Sequence, residues 1–454
     1  MNVVCARVRA ALAAWMVCAC GGWAQSPAPA AQTPVSRHSN ASLGDELAHM
    51  AGHEVHILFI HGIGSDGPHV HDSLALRKSI CAYLKDCASP AGEQVGNYDY
   101  ADHGAFAPGQ PVPSLTYMGQ PVWRTAEEWS AAAPFVVHYR LSRTGGPAVF
   151  VDELNWWPLV LSLKCRQIIA SDARLTGPAP QRLSTCSTLE PDAAMPGRYI
   201  SYDWIPPEEA QRLEALPRKG ALANRSLKSN LADWGFADAI VSLGPLHSWL
   251  VAGLRQLILK SVAASPTASP ENPIMPDPKH EFVLVSHSLG SYLIFSALNI
   301  DPADRSYAAT ERAREAYAQV LKQTSLVYFF ANQVPLLELA NLDEAPVTAS
   351  ETGQRVDNAD EFVANLQAWG RLACDYQRTV TPGEACRRPK IVALNDPSDL
   401  LTWRVPEMEW VEVENISVQN AVHWFGLIED PTKAHENYAK DKRAIRQMLR
   451  PTAE

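Results

Sequence analysis

The chain has 454 residues, of which 46% are hydrophobic and 19% charged, with 13 Trp and 34 Pro. That is enough apolar material for a large core and excludes a mostly disordered chain. With 39 basic against 49 acidic residues, a formal net charge of −10, and no Lys/Arg cluster, it lacks the electrostatic footprint of a nucleic-acid binder.

The N-terminus reads as an address. Arg7 and Arg9 form a short basic region, an apolar stretch runs from Ala10 to Ala19, and small residues, Gly22 and Ala24, follow. This is the pattern of a secretory signal peptide over 1–24, too short for a membrane anchor. Val17-Cys18-Ala19-Cys20 offers an alternative, a loose bacterial lipobox with Cys20 as the acylated residue. A Ser/Pro/Ala/Gln-rich tether over 25–44 precedes the body at 45–454. After the first 25 residues no apolar run reaches the length needed to span a bilayer.

The body alternates strands and helices. Residues 55–60 are strand-like and stop at Gly62 and Gly64; 72–86 read as a helix; 90–122, rich in Gly, Pro and Tyr, as loop. A hairpin is predicted over 134–154, turning at Thr144-Gly145-Gly146, then a helix over 157–171 and an irregular Pro-bearing stretch over 175–222. Residues 226–263 form a long helical region, interrupted at Gly244-Pro245, whose apolar part from Ala239 to Val262 reads as a groove-lining or lid helix. A Pro/Ser-rich linker at 265–278 leads to strand, turn and helix over 281–298, strands at 325–330 and 390–394, and a helix at 433–449. The pattern predicts an α/β fold with a mainly parallel sheet.

Export suits the cysteines. Outside the leader they number six: Cys81, Cys87, Cys165, Cys186, Cys374 and Cys386. Disulfides are therefore expected, and neighbour pairing (81–87, 165–186, 374–386) is the simplest of the open connectivities. No C-x-x-C or Cys/His spacing points to structural zinc.

The strongest chemical signal is Glu281-Phe-Val-Leu-Val-Ser286-His287-Ser288-Leu289-Gly290, an apolar strand that ends abruptly and passes at once into a helix. Ser288 occupies the middle of the turn. Ser286 and Gly290, small residues on either side, let strand and helix approach closely, and the helix N-terminus brings positive partial charge to the serine oxygen. This is the nucleophile-elbow pattern, with Ser in place of its first Gly. A second segment, His61-Gly62-Ile63-Gly64, follows the first strand and can turn backbone N–H groups toward a developing oxyanion.

Together these segments resemble the α/β-hydrolase superfamily, in its lipase- and esterase-like branch. The matching motifs cover roughly 55–64, 281–298 and 390–449. The stretch beginning Val151-Asp152-Glu153 looks like the segment that precedes an inserted cap, here placed at about 155–275. The resemblance implies that the amides of Ile63 and Leu289 form the oxyanion hole. It also implies a chain order of nucleophile, acid and histidine. The acid then comes from the turn after 390–394, where Asp396 and Asp399 are both candidates. Asp396, before Pro397, suits an Asx turn, which favours Asp399 as the acid. The histidine is His435, at the last helix, with His423 as the alternative.

The remaining histidines of the first hundred residues carry less. His53-Glu54-Val55-His56 is one residue short of H-E-x-x-H, and His53, His56, His61, His69 and His71 read as surface loop histidines. No metal site and no cofactor is expected.

These readings converge on an exported serine hydrolase, periplasmic, secreted or lipid-anchored, that cleaves a carboxylic ester through an acyl-enzyme on Ser288. The apolar 239–262 stretch and the tryptophans suggest a lipid-like acyl substrate and association with a membrane surface. The alternatives are an amide or thioester hydrolase with the same triad and a non-catalytic envelope binding protein on a hydrolase fold.

Overall fold

The computed structural model describes residues 42–44, 47, 54–63, 73–85, 87, 89–117, 120–141, 148–164, 235–263, 275–299, 306–308, 310–341, 361–380, 382, 386, 388–420, 423–424, 428–429 and 431–449. The leader, the 175–222 stretch, Gly64, Cys165 and Cys186 lie outside the described residues.

Eight strands form the main sheet: β1 (Glu54–Ile60), β2 (Glu93–Tyr100), β3 (Phe135–Leu141), β4 (Val149–Asn155), β5 (His280–His287), β6 (Thr324–Phe330), β7 (Lys390–Asn395) and β8 (Glu412–Ser417). Their spatial order is β8-β7-β6-β5-β1-β4-β3-β2. The six strands from β8 to β4 run parallel, while β3 is antiparallel to both β4 and β2. The fold is thus α/β, a mixed and mostly parallel sheet with helices on it, and the expected 134–154 hairpin is the β3–β4 pair.

The central strands are nearly continuous apolar runs because both faces are covered. Val55, Ile57 and Phe59 point to one face, packed with Leu76 and Ile80 of α1 (Leu74–Leu84) and with the C-terminal Ile445 and Met448. Leu58 and Ile60 point to the other, with Phe282, Leu284 and Phe329. That second face is covered by α5 (His247–Ala263), α6 (Leu289–Leu298), α7 (Glu311–Lys322) and α9 (Glu361–Val380). Shorter helices are α2 (Ala126–Ala131), α3 (Trp157–Lys164), α4 (Ala237–Leu243) and α8 (Val334–Leu337). The chain ends in α10 (Pro431–Glu436) and α11 (Lys442–Leu449).

Several expectations need correction. Within the 239–262 stretch α5 is not a lid: it buries Leu250, Leu254, Leu257 and Ile258 against the sheet as part of the main core. Its sequence is apolar because it is enclosed on almost every side. Gly244-Pro245 breaks the region into α4 and α5 as read, and the two helices meet at 93°. Among the described residues no single helix is long and apolar enough to cross a membrane. Within the proposed 155–275 insert, α3 and α5 both belong to the body, and 165–234 lies outside the described residues.

The segment 90–122 is not all loop, since it contains β2, an edge strand with a register shift between Val95 and Asp99. The helix expected over 433–449 is two helices. Asp441 accepts from the N–H groups of Arg443 and Ala444 at 2.6 and 3.1 Å and so starts α11 afresh. Leu43 is fully buried, and its N–H donates to the Tyr328 hydroxyl at 2.9 Å. His56 and His61 are not surface loop residues; both are buried at 1% exposure.

Two of the three expected cysteine pairs lie at bonding distance, Cys81–Cys87 and Cys374–Cys386, with Cα–Cα separations of 5.4 and 5.3 Å. Both are compatible with an oxidising compartment.

Candidate active site

From β1 the chain moves to one side of the sheet through β2, β3 and β4, and from β5 it moves to the other through β6, β7 and β8. The ends of β1 and β5 therefore flank a point where the winding reverses, the place where α/β sheets open a crevice at their carboxyl ends. Gly62 and Ile63 leave β1 at this point, and Ser288 follows β5.

Ser288 is held at φ 55°, ψ −125°, a conformation that costs a non-glycine residue about 1–3 kcal/mol. Its surroundings over-determine it. The Ser288 N–H donates to Phe330 O at 2.8 Å, and Ser288 O accepts from the Ser291 N–H at 2.9 Å and the Ser291 hydroxyl at 2.6 Å. Two glycines allow the close packing. A Cβ on Gly290 would sit 2.6 Å from Ile60 O, and one on Gly62 would sit 2.7 Å from Ser288 Cβ. Leu289 is the first residue of α6, so its N–H is one of the donors a helix cannot pair internally. Ile63, next after Gly62, is half-buried against the core.

Ser288 Oγ lies 2.8 Å from His435 Nε2. On the far side of the ring, Nδ1 lies 3.0 Å from both Asp399 oxygens. Asp399 also accepts from the Leu401 N–H at 2.9 Å and the Tyr438 hydroxyl at 3.1 Å. Its carboxylate is 1% exposed and the imidazole 12%. With the Nδ1 proton held by Asp399, Nε2 presents its lone pair to the serine hydroxyl.

Asp396 does a different job. One oxygen accepts from the Ser398 N–H at 2.9 Å, an Asx turn, and the other from the Asn420 N–H at 2.5 Å. Its own N–H donates to the Tyr438 oxygen at 2.7 Å. Asp396 therefore fixes the loop from which Asp399 projects. The backbone of His423 forms a two-residue strand with Trp424, and its side chain lies outside the described residues.

Three neighbours were not singled out from the sequence. Gln333 Nε2 donates to Ser288 Oγ at 2.8 Å. It follows β6 through Ala331, which has φ 53°, and the Gln333 N–H is anchored on the Ser291 hydroxyl at 3.1 Å. Tyr438 joins Asp396 to Asp399, and burial together with the adjacent carboxylate pushes its phenol above the ordinary range. His287 donates from Nε2 to the His435 carbonyl at 2.8 Å. Burial, reinforced by His435, pushes its imidazole down to about 4, so it stays neutral. Gln333 and Tyr438 are brought in by the tertiary approach of β6 and the C-terminal segment, whereas His287 belongs to the elbow itself and only its contact with His435 is tertiary.

The described residues best placed to ligate a metal, Glu54, His56 and His280, lie at the other end of β1 and β5. The chain matches no family model, no curated protein and no solved structure.

Proposed function

We propose that the protein is a serine hydrolase of the α/β-hydrolase kind that cleaves carboxylic esters by acyl transfer. The observation that carries this reading is the unbroken chain from Ser288 Oγ through His435 to Asp399, at 2.8 and 3.0 Å, on a strained strand-to-helix turn. Such pairing of a nucleophile, a base and an orienting acid is the requirement for activating a serine.

In the proposed reaction His435 Nε2 takes the Ser288 proton as Oγ attacks the acyl carbonyl. The oxygen that gains charge rests on the amides of Ile63 and Leu289, with the Gln333 amide close enough to contribute. His435 then gives its proton to the leaving alkoxide. Water, deprotonated in turn by His435, attacks the acyl-enzyme; the bond to Oγ breaks, the acid leaves, and His435 returns the proton to Ser288 Oγ. Asp399 holds the imidazole in one tautomer and orientation.

The triad suits an ester and equally the amide or thioester alternative, and a lipid-like acyl chain draws no support from the buried part of the apolar stretch. Within the apolar 239–262 stretch α5 belongs to the core, as do Trp123, Trp129, Trp156 and Trp369, while Ile240 of α4 is exposed. Export is part of the proposal and rests on the leader together with the two cysteine pairs.

A fluorophosphonate probe tests the class. Labelling of the folded protein that disappears in Ser288→Ala supports the reading. Folded wild-type protein that resists labelling and hydrolyses none of a graded panel of acyl esters would instead favour a binding protein on this fold.

A further inference from the structure

A line of acids and histidines, all but Glu54 buried, crosses β5, β1, β4 and β3. His280 opens β5 and pairs in register with Glu54 of β1. His56 lies two residues on, on the same face. Its neighbour across the next strand pair is Asp152 of β4, and beyond that stands His138 of β3. None of these residues takes part in the chemistry at Ser288. Seven residues of β1 at about 3.3 Å each put the two ends roughly 20 Å apart.

We propose that Glu54, His56 and His280 bind one divalent transition-metal ion of the zinc class, clamping β1 to β5 at the end opposite the serine.

The spacing is the first argument. Glu54 Oε2 lies 3.4 Å from His280 Nε2 and 3.7 Å from His56 Nε2, and one donor atom from each residue falls within 4.8 Å of the others. At 3.7 Å the carboxylate and the His56 nitrogen are too far apart to be hydrogen-bonded. They are close to the edge of a ligand tetrahedron, about 3.3–3.5 Å for metal–ligand bonds of about 2.0–2.2 Å.

The tautomer is the second argument. His56 Nδ1 faces Asp152 Oδ2 at 3.1 Å, and the other Asp152 oxygen is engaged by His138 Nδ1 at 2.8 Å. Burial lowers the His56 imidazole, but Asp152 and Glu54 outweigh it and raise it to about 9. An arriving metal therefore displaces the Nε2 proton, while Nδ1 keeps its own toward Asp152 and Nε2 supplies the lone pair. That nitrogen is buried, with no hydrogen-bond partner, and it faces Glu54. A carboxylate behind a ligating imidazole is the usual outer arrangement at zinc, fixing the ring and raising its basicity.

The shell is the third argument. The His56 ring is stacked between Phe150 and Phe282, with centroids 5.0 and 5.4 Å away. His56 and His280 are 1% and 2% exposed, while the Glu54 side chain, at 12%, opens a route from solvent. Two imidazoles and one carboxylate are a donor set suited to Zn²⁺, and poorly matched to Mg²⁺ or Ca²⁺. The strands clamped here carry Gly62 and Ser288 at their far ends, so a metal would fix the register on which the catalytic crevice depends.

The test uses the full mature chain, stripped with a chelator and titrated with Zn²⁺ against a chromogenic competitor. Co²⁺ substitution reports geometry through its visible absorption. The expected result is one Zn²⁺ per chain, a rise in melting temperature on loading, and the intense absorption of tetrahedral Co²⁺. Glu54→Gln and His280→Ala should each weaken binding at least tenfold and abolish the thermal shift. Asp152→Asn, which leaves all three ligands in place, should weaken it about 10–100-fold. His435→Ala should bind as the wild type does, which separates this site from the triad. If Glu54→Gln fails to fold, His280→Ala and Asp152→Asn carry the test. Wild-type protein that takes up no Zn²⁺ would overturn the proposal, as would Zn²⁺ binding lost in His435→Ala but kept in Glu54→Gln.

Discussion

Replacing each aspartate of the β7 loop by asparagine should separate chemistry from architecture. Asp399 receives the His435 Nδ1 proton on either of two oxygens at 3.0 Å, and its remaining acceptor capacity is used by the Leu401 N–H and the Tyr438 hydroxyl. An asparagine there keeps the volume and one acceptor. Its amide nitrogen, however, must face either donors already present or the imidazole, which then turns its proton toward Ser288. The base is lost in its working tautomer, and kcat should fall by about 10³–10⁴ with little change in folding. Asp396 faces backbone donors instead. Its two oxygens serve the N–H groups of Ser398 and Asn420. In Asp396→Asn one of those buried donors meets an amide NH₂, at a cost of about 1–3 kcal/mol and a few degrees of melting temperature. The protein that remains folded should retain kcat within about tenfold, since 1.36 kcal/mol is one decade. The assays are ester hydrolysis under saturating substrate and thermal unfolding of each variant. The reasoning fails if Asp396→Asn loses three decades of kcat while Asp399→Asn loses only stability. Near-wild-type activity in both would remove this loop from the triad.

Three further outcomes follow from the same geometry. Tyr438→Phe leaves the buried Asp396 N–H without its acceptor and removes one donor from Asp399, so unfolding measurements should show a loss of about 1–3 kcal/mol and steady-state kinetics a fall in kcat of about tenfold. Gly62→Ala would place a methyl 2.7 Å from Ser288 Cβ and 3.1 Å from His287 O. Overpacking of this kind costs about 1–3 kcal/mol, and displacing the nucleophile should lower kcat about 10²-fold with fluorophosphonate labelling slowed in parallel. His287 is neutral in the fold down to about 4 but takes a proton in the unfolded chain below about 6.5. Its contribution to stability is therefore unchanged above pH 6.5, declines as pH falls toward 4, and levels off below, by at most about 3 kcal/mol. His287→Gln, which keeps a donor for the His435 carbonyl, should flatten that slope in denaturant titrations between pH 4 and 6.5; an unchanged slope would assign the effect to other groups.

What could be read in advance divides by the range of the forces involved. The turn at Ser288 was legible because its causes are local: an apolar β5 run, a small residue on each side, and a helix that starts at once. The β3–β4 hairpin and the break at Gly244-Pro245 were legible for the same reason. Edge strands were not. β2 carries Gly96, Asn97 and Asp99, and β8 reads Glu-Val-Glu-Asn-Ile-Ser; a strand with one free edge needs no continuous apolar run, so composition alone made β2 look like loop. The opposite holds for α5, whose largely apolar sequence suggests a surface that greets substrate but reflects burial in the core. His56 lies within the strand expected over 55–60, and its burial reflects partners from neighbouring strands, Asp152 and His280, that no local pattern reveals.

The site itself shows the same division, and it bears on which residues a mutational study should reach first. Ser288, His435 and Asp399 each announce themselves by residue type and by position at a strand end or helix start. Gln333 does not: it touches Ser288 only because β6 lies beside β5 and because Ala331, at φ 53°, turns the chain back over the nucleophile. The hydroxyl of Ser291, one turn into α6, accepts the Gln333 N–H and donates to Ser288 O. One side chain thereby ties the elbow to the loop that brings in its neighbour. Ser291 is thus the link through which a change after β6 would be felt at the nucleophile, although neither its type nor its place in a helix sets it apart in the sequence.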